Sequence, residues 1–234
     1  MANKYKLVCF DLDGTLIDMP GHVWEQIHEF FGTMDERDKT FEDYKVGRIS
    51  YQEWFEADVK IWANAGANKD KLLEAVKDVQ LHEGALETLQ KIKNNGLSIA
   101  LISGSLNFVF EHIFRQHTML FDYVFINKIY FGEGGSIIGG KHNPYDGAGK
   151  AEGLKKIAEE TGFSLEQCVF VGDNDNDIEI AQTAGLSIAF MHKSERLAQV
   201  SNVVVKDNNL KAILPYILPA EKSNPSPFDL WLEF

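Results

Sequence analysis

Leu7-Val8-Cys9-Phe10-Asp11-Leu12-Asp13-Gly14-Thr15-Leu16 is an apolar run that breaks off in two acids and a glycine. Short apolar runs of this kind form the buried strands of a parallel sheet, and ligands bind just beyond the carboxyl ends of such strands. Two carboxylates two residues apart leave the strand tip on the same side. They can hold a divalent cation, or divide nucleophilic and acid/base work between them. Asp-Gly is also a hairpin-turn signal, and the stretch alone leaves that alternative open.

Outward from this point the rhythm changes twice. Gly21 to Gln80 has helical spacing, with Val23, Ile27, Phe30 and Phe31 on one face, Trp54, Phe55, Val59 and Trp62 on another, and a further helix through Leu72, Leu73, Val76 and Val79. From Gly84 strands and helices alternate. The expected elements are a helix over 85–94, a strand over 97–102, a helix over 108–116, a strand over 123–129 with a hairpin to 136–139, and a helix over 151–161. A strand over 168–172, a helix over 178–184, strands at 186–190 and 203–205 and a last helix over 210–217 complete the pattern. Alternation of this kind predicts an α/β fold, a Rossmann-like parallel sheet, with a helical cap inserted after strand 1. The expected division is residues 1–17 plus 81–218 as the core, 18–80 as the cap and 219–234 as a tail. In that tail a Pro- and Ser-rich linker precedes an apolar docking segment, Phe228 to Leu232.

The chain has 234 residues, 44% of them hydrophobic, and a formal charge of −12. Such a charge disfavours nonspecific binding to nucleic acid or to an anionic membrane, so neither is an expected partner. Cys9 and Cys168 each sit inside an apolar run and read as buried thiols of a reducing compartment. With no signal-peptide pattern at the start and no apolar run of membrane-spanning length, a cytoplasmic enzyme is the expectation.

Three strands end in polar clusters: Asp11 to Thr15, Ser103-Gly104-Ser105, and Asp173-Asn174-Asp175-Asn176-Asp177. In an open parallel sheet these tips can meet in one crevice. Ser103-Gly104 at a helix entrance offers a hydroxyl and free N–H groups for phosphate, or an ordinary helix cap. The acid run opens like a calcium loop, but that loop needs Gly and Glu where Ile178 and Ala184 stand. A magnesium site with few protein ligands fits better; a solvated helix start is the plainer alternative. Asp146-Gly147-Ala148-Gly149-Lys150 lacks the first Gly and the Ser/Thr of a nucleotide P-loop, since Pro144 and Ala151 occupy those places. What remains is a lysine at a helix start, where a cation opposes the dipole; it points to an anion in front of it, with a solvent-facing lysine as the alternative.

Together and in order, these stretches resemble the haloacid dehalogenase (HAD) superfamily: Asp11 to Thr15 as motif I, Ser103 as II, Lys150 as III, and Gly172 to Asp177 as IV. The cap position, the hairpin near Phe131 to Gly139 and the stretch from Lys150 to Ala189 are most similar to the phosphoserine phosphatase group. The resemblance implies a Mg²⁺-dependent phosphomonoester hydrolase acting through an aspartyl phosphate. It implies Asp11 as nucleophile and Asp13 as acid/base, with Asp11, Asp13 and Asp173 about the metal and Asp177 supporting them. Ser103, Gly104, Asn176 and Lys150 would contact phosphate.

The chain departs from that group in its cap. Pro20 stands where a Glu holds the substrate amino group, and no Arg follows Tyr51 within the cap, Arg48 being the nearest. His22, Trp24 and Trp54 are the cap residues expected to face the pocket and select the leaving group, though aromatics at helical spacing are more often cap core. The expected partner is a small phosphomonoester, phosphoserine first among the candidates. A phosphotransferase or mutase on the same site, or a non-catalytic phosphate-binding module, are the alternatives.

Overall fold

The computed structural model describes residues 3–19 and 21–219. Its centre is a seven-stranded sheet ordered β6-β5-β4-β1-β7-β8-β9. Strand β1 (Leu7–Phe10) lies between β4 (Ser98–Leu106) and β7 (Cys168–Gly172), parallel to both. Strands β5 (Tyr123–Phe131), β8 (Leu186–Phe190) and β9 (Val203–Val205) continue the sheet in parallel, and β6 (Ile137–Lys141) closes one edge as an antiparallel hairpin with β5.

All four residues of β1 are buried, and successive side chains go to opposite faces. Val8 and Phe10 join a core with helices α5 (Ala85–Asn94) and α6 (Asn107–Phe114), together with Leu210, Ile213 and Ile217 near the end of the described chain. Leu7 and Cys9 join a second core with α7 (Lys150–Thr161), α8 (Ile178–Thr183) and α9 (Glu195–Val200). Helices on both faces explain why the strands read as unbroken apolar runs. Cys9 and Cys168 are buried free thiols. No helix among the described residues is long and apolar enough to cross a membrane.

Helices α1 (Val23–Phe31), α2 (Met34–Lys45), α3 (Tyr51–Asn64) and α4 (Lys69–Ala75) form the insertion between β1 and β4. It leaves and rejoins the core through a two-stranded antiparallel stem, β2 (Ile17–Asp18) with β3 (Gln80–Leu81). Helix α3 starts with a capping box from Ser50 and Glu53, and α1 ends at Gly32 in the left-handed region.

Three details differ from the sequence expectations. Phe30 is 48% exposed and packs edge-on against Phe31, because α1 turns only Val23, Ile27 and His28 fully inward. The helix expected over 210–217 is a 3₁₀ turn, Leu210–Ile213, followed by α10 (Leu214–Ile217), with Pro215 at the α-helical start where its missing N–H costs nothing. Ser103-Gly104-Ser105 belongs to β4, and α6 begins only at Asn107.

Candidate active site

The tips of β1, β4 and β7 meet at a cavity of about 300 Å³ under the helical insertion. From the core it is lined by Asp11, Asp13, Ser103, Gly104, Ser105, Asp146, Asp173 and Asn174 to Asn176, and from the insertion by His22, Trp24, Arg37, Phe41 and Trp54.

Lys150, the first residue of α7, is fully buried. Its Nζ lies 2.9 Å from Asp11 Oδ1 and 2.7 Å from Asp177 Oδ1. Burial alone would lower its pKa; the charges of Asp11 and Asp177 reverse that and hold it protonated. The second Asp177 oxygen accepts from the N–H of Asp173 at 2.9 Å and of Asn174 at 3.3 Å. Asp177 thus fixes both the lysine and the loop that carries Asp173. Gly14 lets this loop close: its φ is +84°, and a Cβ there would strike the Asp173 carboxylate and Lys193.

The carboxyls of Asp13 and Asp173 are each pushed up to about 7, first by burial and then by the charge of Asp11. Asp177 is raised by burial and partly restored by Lys150. Carboxylate oxygens of Asp11, Asp173 and Asp177 lie within 4.8 Å of one another. Asp13 Oδ1 and Asp173 Oδ1 are buried with no hydrogen-bond partner, while Lys193 Nζ stands 3.3 Å from Asp173 Oδ2. Unpartnered buried carboxylate oxygens are costly, and a hard divalent cation would satisfy them. The donor set therefore fits a hard divalent cation, which Asp11 and Asp173 could hold. Both Asp177 oxygens are already engaged.

On the insertion side, Trp24 and Trp54 stack at 5.6 Å, and Trp54 stacks on Tyr44 at 5.0 Å. Trp24 Nε1 donates to Gly104 O at 2.9 Å, so the insertion touches the β4 loop directly. Arg48 is 66% exposed and pairs with Asp43, away from the cavity. Arg37 of α2 lines the cavity instead, paired with Glu25 at 3.0 Å. Sequence reasoning missed Arg37, Phe41 and Asp146 as residues of the site. Arg37 precedes Tyr51, after which the family resemblance places a cap arginine, and no spacing rule ties Asp146 to Gly104, whose missing Cβ makes room for its carboxylate. Pro20 lies outside the described residues, as do residues 220–234 of the tail.

Residues 5–185 match the family model of haloacid dehalogenase-like hydrolases. The chain is 31% identical to the phosphoserine phosphatase of Methanocaldococcus jannaschii over 93% of its own length and 100% of that protein's. It is 30% identical to the phosphoserine phosphatase of Lactococcus lactis, covering 93% of this chain and 97% of the relative. Among solved structures, a phospho-aspartyl intermediate analogue of phosphoserine phosphatase superposes with a TM-score of 0.70 at 29% identity, over 92% of this chain and 99% of that one. A substrate-bound phosphoserine phosphatase complex superposes equally well, at 28% identity over the same shares of the two chains. The chain belongs to the haloacid dehalogenase-like hydrolases, and within them it is a phosphatase.

Proposed function

We propose that this phosphatase is Mg²⁺-dependent and hydrolyses a small phosphomonoester by way of an aspartyl phosphate on Asp11. Phosphoserine is the leading substrate. Residues 18–80 act as the cap that selects the leaving group, and residues 1–17 with 81–218 carry the chemistry. The carrying observation is the buried Lys150 held between Asp11 and Asp177 beside unpartnered carboxylate oxygens.

Bound Mg²⁺ would neutralise phosphate charge at Asp11 and Asp173. Lys150, paired with Asp11, offsets the negative charge that approaches it. Asp11 attacks phosphorus, the phosphorus–oxygen bond to the leaving group breaks, and the proton that the leaving oxygen needs comes from Asp13. A carboxyl at about 7 suits both halves of that cycle, giving a proton in the first step and taking one from water in the second. Ser103, Gly104 and Asn176 hold the phosphate oxygens. His22, Trp24 and Trp54 face the leaving group. Arg37, whose Nε is buried without a hydrogen-bond partner, supplies a cation for a carboxylate there.

Turnover of a panel of phosphorylated metabolites, with and without Mg²⁺ and with Asp11→Asn as the blank, tests the proposal. Mg²⁺-dependent release of phosphate, highest on phosphoserine and lost in the blank, is expected. Turnover that survives chelation or the Asp11→Asn change would overturn the mechanism. A best substrate without a carboxylate would overturn the role of Arg37.

A further inference from the structure

Between Ile102 and Leu106 the pairing of β4 with β5 slips, four residues of advance on β4 against two on β5. In that interval side chains take the β4 carbonyls. Asn143 Nδ2 donates to Ser103 O at 3.1 Å. Asn127 Nδ2 donates to Gly104 O at 2.7 Å, alongside Trp24 Nε1 at 2.9 Å. The two asparagines are buried and linked, since Asn143 N–H donates to Asn127 Oδ1 at 2.6 Å. Tyr51 Oη accepts from Asn127 Nδ2 at 2.8 Å and donates to Asp146 Oδ2 at 2.6 Å.

In a trans peptide the C=O and the following N–H point in opposite directions, so holding Ser103 O sets the direction of the Gly104 N–H, and holding Gly104 O sets that of the Ser105 N–H, which seats the Ser103 hydroxyl. An unpinned carbonyl could rotate toward an anion and oppose it with partial negative charge. The Ser105 N–H donates to Ser103 Oγ at 3.2 Å, which leaves the Ser103 hydroxyl proton free for an anionic oxygen.

We propose that Asn127 and Asn143 are positioning residues for phosphate, and that Trp24 and Tyr51 make the setting of the Ser103–Gly104 cradle depend on the cap being seated on the core. The inference rests on the assignment of Ser103 and Gly104 to phosphate binding. It gives the cap a second task besides choosing the leaving group: seating it completes the hydrogen bonds behind the phosphate cradle.

The test is competition by inorganic phosphate against p-nitrophenyl phosphate in saturating Mg²⁺, together with the Tm shift that phosphate causes. Asn127→Asp keeps the size of the side chain and loses its donor; it should raise the inhibition constant about tenfold, raise KM more than it lowers kcat, and shrink the Tm shift. Tyr51→Phe should move all three the same way, by about threefold in the inhibition constant. If Asn127→Asp does not fold, Asn143→Asp and Tyr51→Phe decide. Inhibition constants within twofold of the parent in folded variants, even with a lower Tm, would overturn the positioning role. If the parent itself neither binds phosphate nor turns over the ester, the phosphatase mechanism fails first, and that outcome is distinct.

Discussion

Two sets of buried titratable groups, one in the insertion and one in the core, are finished differently. In the insertion, His28 and Asp58 are fully buried and face each other at 3.5 Å. Thr33 meets His28 Nδ1 at 2.8 Å, and Thr40 donates to Asp58 Oδ1 at 3.0 Å. His28 Nε2 and Asp58 Oδ2 make no hydrogen bond and are left facing each other, Trp62 packs against the His28 ring, and neither His28 nor Asp58 lines the cavity. In the core, Lys150 is shared by two aspartates while Asp13 and Asp173 keep oxygens that nothing satisfies. Burial alone does not mark an active site. What separates the two is the unused capacity that opens on a cavity.

The sharpest way to break this contrast is to remove one charge from each. Lys150→Met strands two buried carboxylates. It should cost about 3–5 kcal/mol of stability and abolish detectable turnover, both readable by denaturant unfolding and steady-state assay. Asp58→Asn should cost about 1–3 kcal/mol and leave kcat within about threefold of the parent, because that pair holds helices together and touches no cavity. Equal losses of activity in the two variants would erase the distinction.

A smaller effect probes the wall between the regions. Trp54→Ala and Trp24→Ala should each lower kcat/KM on the best substrate by about tenfold, since both line the cavity. Unchanged kcat/KM would reduce the aromatic wall to packing.

The smallest effect is electrostatic. Asp13 and Asp173 bind protons more tightly in the folded chain, at about 7, than when unfolded near 3.8. Between those values the unfolded state holds fewer protons, so the Tm of the metal-free protein should fall as pH rises toward 7 and level off above it. Saturating Mg²⁺ replaces the protons and should remove that slope, and Asp173→Asn should weaken it without metal. A Tm that rises through the same window would contradict the crowding of acids.

Much of this was legible in the chain itself. Apolar runs ending in Asp11, Ser103 and Asp173 marked strand tips, because a sheet covered on both faces requires such runs and puts their ends in one crevice. Lys150 at a helix start, against the dipole, marked an anion partner. What escaped was whatever depends on contacts between distant segments. Tyr51, Asn127 and Asp146 come together from three separate stretches, and no periodicity links them. The Ser103 loop read as a helix entrance because a β-strand slip has no residue signature of its own. Arg48 was the arginine nearest the expected place, but helix α2 turns Arg37 toward the cavity while Arg48, beyond the end of that helix, stays in solvent.

Rapid acid quench during turnover of a substrate labelled with radioactive phosphorus, followed by peptide mapping, shows whether Asp11 is the nucleophile. Hydroxylamine-labile label is expected on the peptide that carries Asp11 and not in Asp11→Asn protein. Steady turnover with no label on that peptide, or label on another residue, would contradict that role.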